Sequence, residues 1–124
     1  MNNSDELPLM GGMLNGPVFL ADDKIASCKT YRDAVCLAWD ERRSKGMTRD
    51  RLAELCCLLP QHLSDYFARA ESNPKGQRRR SLPAEKICDV ESALGNRAIT
   101  QYLIRQAQLT LMEEMLAQRA KKAA

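Results

Sequence analysis

The residues with the chemistry to bind something lie close together. Gln61, His62, Ser64 and Asp65 occupy one short stretch, and the cations Lys75, Arg78, Arg79 and Arg80 follow it. A glutamine amide can pair with adenine in a bidentate way, so Gln61 is the best base reader of the set. His62 and Ser64 can donate to a base or a phosphate. Asp65 is repelled by phosphate unless it meets a cytosine amino group or braces a cation. Arg78, Arg79 and Arg80 suit a phosphate backbone, where several contacts give steep salt dependence and little sequence choice. Charge alone favours an ordinary solvated loop, and it is the position just after the polar stretch that points to DNA.

Other chemistries find little support. The chain has one histidine, no Gly-rich phosphate loop, no His-Glu-x-x-His and no nucleophile elbow. No catalytic residue and no cofactor is therefore expected. Asp22-Asp23 and Glu113-Glu114 read as solvated surface. Five cysteines, Cys28, Cys36, Cys56, Cys57 and Cys88, lack the Cys-x-x-Cys spacing of a zinc site. Buried free thiols in a reducing compartment are expected rather than a metal. The start MNNSDELPL has no export pattern, and no stretch has the length of a membrane span. A cytoplasmic protein is expected, and no membrane partner. The net charge of +3 makes any basic patch a matter of local clustering.

The elements that must position these residues read as helices. Hydrophobic content of 44% with only 5% aromatics favours packing through Leu, Ala, Ile and Met. Residues 1–26 read as a flexible tail in which Pro17 to Leu20 is an apolar patch able to dock on the domain or on a partner. Residues 27–108 read as the domain. Ser27 or Thr30 caps a first helix towards Lys45, with Gly46 as its left-handed stop and Trp39 at the core or its edge. Thr48 caps a second helix over about 48–57, and Pro60 opens a third over about 60–69 whose Leu63 and Tyr66 face inward. The loop Glu71–Ser81 comes next. Pro83 then opens a fourth helix to Leu94, closed by Gly95, and Asn96 caps a last helix from about Arg97 towards Arg119.

The last helix is apolar for longer than a small domain requires. Its extension, residues 109–124, carries Leu109, Leu111, Met112, Met115 and Leu116. Two readings stand side by side: an interface between two copies, or a helix folded back on its own chain.

The stretch Gly46-Met47-Thr48-Arg49-x-x-Leu52-Ala53-x-x-Cys56 resembles the opening of the Cro/repressor-type helix-turn-helix domain, the xenobiotic-response-element family. Without a gap, Leu63 falls on that family's buried aliphatic and Tyr66 on its buried aromatic. Pro83, Ile87 and Ala93-Leu94-Gly95 resemble its supporting helix. The resemblance covers roughly residues 34 to 105. It differs at Cys57, where the turn prefers Gly, and at Leu58-Leu59, where a Ser or Thr normally caps.

The resemblance implies an all-α, five-helix, lambda-repressor-like domain with an N-terminal tail and a long C-terminal helix. It implies base contacts near Gln61, His62 and Asp65, with Arg49 against phosphate. It further implies a homodimer on a two-fold operator in double-stranded DNA, repressing promoters as prophage and plasmid regulators do, in the bacterial nucleoid. The other expectation is a protein-interaction module, an antitoxin or phage-encoded adaptor, using Leu58-Leu59, Val18 to Leu20 and the Met-rich last helix.

Overall fold

The computed structural model describes residues 16–123; the first fifteen positions of the expected tail lie outside them. The chain is mostly helical. Among the described residues there are six α-helices: α1 Asp22–Ala26, α2 Tyr31–Asp40, α3 Arg49–Cys56, α4 Pro60–Tyr66, α5 Ile87–Leu94 and α6 Ala98–Ala123. A single turn of 3-10 helix, Ala84–Lys86, leads into α5. Among the described residues the only β-pairing is two isolated bridges, Val18 with Asn96 and Ser72 with Arg78.

The extra helix, relative to the five expected, comes from residues assigned to the tail. Residues 18–20 are stitched along the α5–α6 junction. Val18 donates to the Gly95 carbonyl at 2.9 Å and accepts from Arg97 at 2.9 Å. Gln101 then bonds both backbone groups of Leu20, at 2.9 and 3.0 Å. This satisfies backbone groups that would otherwise need water, and it delivers Ile25 into the core at 3% exposure. Hydrophobic periodicity has no purchase on a stretch this short, which explains why it read as leader.

The cap of α2 is Thr30 rather than Ser27. Thr30 accepts from the Asp33 amide while Asp33 accepts from the Thr30 amide, a reciprocal capping box. The helix stops at Asp40, short of Lys45, and Gly46 is not in a left-handed conformation. The stop comes from tertiary contacts. Asn96, fully buried, donates to the carbonyls of Ala38 at 3.0 Å and Glu41 at 3.3 Å, satisfying groups at the end of α2. Its own side-chain oxygen accepts from Ala98 at 3.1 Å, so one residue ends α2 and caps α6 as expected.

The core gathers Ala34, Val35 and Ala38 of α2, Leu52, Ala53 and Cys56 of α3, Leu63 and Tyr66 of α4, Val90 and Leu94 of α5, and Ala98, Ile99 and Tyr102 of α6. Phe67, just past α4, is buried as well and stacks at a tilt on Trp39, ring centres 5.3 Å apart. The Arg42 guanidinium lies 4.1 Å over the same Trp39 ring. Gly95 closes α5 at φ 88°, and a Cβ there would meet the Arg43 side chain at 2.9 Å. Both conformation and space call for glycine.

Glu91 is fully buried with its carboxylate on the start of α6. It accepts from the Thr100 amide at 2.7 Å, the Thr100 hydroxyl at 2.6 Å and Arg97 at 3.2 Å. An acid here meets the positive end of the helix, so α5 is locked to α6 by charge as well as packing.

Candidate nucleic-acid interface

The two short helices α3 and α4 are joined by residues 57–59. Thr48 caps α3, accepting from the Arg51 amide at 3.2 Å. Cys57 ends it in the left-handed region, at φ 55°, the conformation that glycine adopts without cost. The cap position of α4 is Leu59, which offers no side-chain acceptor, while Pro60 occupies the first turn and needs no amide partner. α4 ends at Tyr66, not near 69, because Phe67 leaves the helix to enter the core.

Leu63 and Tyr66 point inward, which turns the opposite side of α4 to solvent. Gln61 and Ser64 are exposed there, three apart and so on one face. The Ser64 hydroxyl donates to the Gln61 carbonyl at 3.3 Å. His62 is half-buried, its ring edge-on to Tyr66 at 6.2 Å. Arg49 is exposed at the first position of α3.

Asp65 is half-buried and already engaged. Its two oxygens lie 3.4 Å from Arg79 and 3.5 Å from Arg80. It braces cations, the second of the two roles open to it. Of the three arginines, Arg79 is drawn in while Arg80 and Arg78 stay exposed, as does Lys75.

The loop that presents them is ordered by its own side chains. The Asn73 side-chain oxygen accepts from the Lys75 and Gln77 amides at 3.0 and 2.9 Å, and Gly76 takes φ 81° to close the turn. Arg79 donates its amide to the Glu71 carbonyl at 2.8 Å. Beneath the loop sits Arg32, from the first turn of α2 and only 8% exposed. Its guanidinium donates to the carbonyls of Asp65, Ala68, Arg79 and Arg80 at 2.5 to 3.4 Å. One buried arginine therefore ties the end of α4 to the cationic loop. Neither Arg32 nor Glu91 stood out in the sequence, since a charged residue on a helix is ordinarily on its surface.

The other side of the pair is less cationic. An open groove of about 560 Å³ between α3 and α4 is lined by Thr48, Asp50, Arg51, Glu54, Leu58 and Pro60. Arg51 is paired to Glu54 at 2.7 Å. Leu55 of α3 and Leu59, the cap position of α4, are exposed at 47% and 53%.

All five cysteines are free thiols; Cys28, Cys36 and Cys56 are buried and Cys57 and Cys88 exposed. Burial pushes the Cys56 thiol up to about 11, and raises Cys28 and Cys36 too. Among the described residues no cluster of three or more His, Cys, Asp or Glu is placed to hold a metal, and no helix is long and apolar enough to cross a membrane. Of the five residues expected at a subunit interface, Leu109, Leu111, Met112, Met115 and Leu116, all lie on α6 and all are exposed. Leu103 and Ile104 are 40% and 52% exposed, so the buried part of α6 ends at Tyr102.

No protein-family model, no curated protein and no solved structure matches this chain.

Proposed function

We propose that the chain is a sequence-specific DNA-binding regulator of the helix-turn-helix type, acting as a homodimeric repressor that occludes a promoter. In this reading α4 enters the major groove of a two-fold operator, Gln61 and Ser64 reach base edges, and Arg49, Lys75, Arg78 and Arg80 grip phosphates. The observation that carries it is the Arg32–Asp65–Arg79–Arg80 assembly. It holds a cationic loop against the end of the helix whose outer face bears Gln61 and Ser64. Base reader and phosphate grip are thereby fixed relative to one another, as docking on a duplex requires.

Selection of bound sequences from random DNA by the purified protein tests the reading. An enriched two-fold motif supports it, and no enrichment at low salt sinks it. Against the selected motif, Gln61→Ala is expected to weaken binding by about tenfold or more while leaving non-specific binding nearly unchanged. Replacing Arg78, Arg79 and Arg80 together weakens both and flattens the salt dependence.

A second reading, a protein-interaction module, rests on Leu55 and Leu59, large apolar side chains half-exposed on the same helix pair. Purified protein free of nucleic acid that also fails the selection would favour it.

A further inference from the structure

From Leu103 to Ala123, α6 runs on with every residue exposed, a projecting rod of roughly 30 Å at ~1.5 Å per residue. Beyond Leu103, its large apolar side chains fall into two stripes. Ile104, Leu111 and Met115 form one, with Gln108 between the first two. Leu109, Met112 and Leu116 form another, roughly 110° further round the helix.

Spacing and charge separate the two. Positions 104, 108, 111, 115, 118 and 122 alternate steps of four and three, which is the seam of a coiled coil. Ile104, Leu111 and Gln118 then take the d positions, and Gln108, Met115 and Lys122 the a positions. Glu114 flanks the seam at g and Arg119 at e of the following heptad. In a parallel, in-register pair those two positions face each other across the interface, so each Glu114 meets an Arg119 of the other copy. An antiparallel pair sets e against e, opposing Arg105 and Arg119 with one another. Pairing through the second stripe buries two cations, Arg105 and Arg119, at steps of four and three from Leu109 and Leu116, against one, Lys122, in the last turn of the first. Gln108, polar at an a position, is the kind of residue that fixes register between two strands. At its domain end the seam opens into a groove of about 310 Å³ lined by Phe19, Ile25, Ile104 and Gln108 among others. The Phe19 ring, 77% exposed, continues the apolar surface onto the domain.

We infer that α6 pairs with the α6 of a second copy as a parallel, in-register coiled coil through Ile104, Gln108, Leu111 and Met115, oriented by reciprocal Glu114–Arg119 ion pairs. The inference rests on the self-association in the proposed function and narrows it, because Leu109 and Leu116 fall outside the seam.

Light scattering on the full chain, in a background with Cys57→Ser and Cys88→Ser, tests it. The expected mass is that of two copies. Leu111→Ala should raise the dimer dissociation constant by about tenfold or more, and Leu116→Ala should change it by less than about threefold. Glu114→Arg and Arg119→Glu should each weaken the dimer about fivefold, and the double exchange should restore it to within about twofold. Gln118→Cys, sitting beside its own counterpart only in a parallel pair, should give a disulfide-linked dimer on mild oxidation. A dimer with neither charge rescue nor the Gln118→Cys link overturns the parallel seam and leaves self-association standing. A chain that stays monomeric at about 100 μM overturns both. A mass of three or four copies overturns the two-stranded pairing.

Discussion

The α3–α4 pair and the outer half of α6 are both surface, and they treat their residues in opposite ways. Around α4 the charged groups are held. Asp65 is committed to Arg79 and Arg80, and Arg32 is buried beneath them with its guanidinium shared among four carbonyls. Along α6 beyond Tyr102, large apolar side chains stand bare at 40% to 60% exposure. The first region has its charged groups held within one chain, and two large apolar side chains, Leu55 and Leu59, stand out on it. The second is unfinished, since an isolated helix with that much apolar surface gains stability only when something covers it. One surface thus has its charged side chains restricted by partners, and the other leaves its apolar side chains uncovered.

The contrast can be broken most sharply by truncating one leucine in each region. Leu63→Ala, in the core under α4, should cost about 3 kcal/mol in denaturant unfolding. Leu116→Ala, measured where the chain is monomeric, should cost less than about 0.5 kcal/mol. Equal costs would mean that the outer part of α6 is packed after all. Next in size is Arg32→Ala, which strips four carbonyls of a charged donor and should lose about 2 to 3 kcal/mol. Protease cleavage within 71–81 should rise with it, and a loop that stays protected would show that the arginine is not its anchor.

A smaller effect should appear at the turn between the helices. Cys57→Gly removes the side chain from a left-handed backbone and should add about 0.5 to 1 kcal/mol to the unfolding free energy. A loss would mean the thiol is making a contact that outweighs its conformation.

A further effect lies in the alkaline range. Tyr31, which donates to the Leu82 carbonyl at 2.8 Å, is pushed up to about 12 by burial and by nearby Glu91, and Cys56 to about 11 by burial. Both are neutral in the folded chain and ionise more readily once unfolded. Their contribution is therefore complete below the unfolded values of 9 and 10 and is lost as pH rises towards 11 and 12. Thermal unfolding should move to lower temperature from about pH 9 upward, and Tyr31→Phe with Cys56→Ala should flatten that slope. No change of slope would assign the alkaline sensitivity to other groups.

Much of the architecture was legible because it rests on local rules. Thr48, Pro60, Gly95 and Asn96 mark helix ends through capping, a fixed φ, a permitted positive φ and a side-chain acceptor. Val90 and Leu94 stand one helical turn apart, and both are fully buried. Each of these statements needs only a residue and its neighbours within a turn or two.

Only the tertiary structure decided the rest, wherever a partner came from far along the chain. The α1 segment is ordered by Gln101 and the α5–α6 junction, more than seventy residues away. The end of α2 is set by Asn96, and Asp65 is engaged by arginines fourteen and fifteen residues on. Where α6 leaves the domain is likewise a matter of how far the other helices reach, which periodicity along one helix cannot express. Caps and hydrophobic spacing are written locally; a charged side chain's burial depends on which distant carbonyls and carboxylates the fold brings to it.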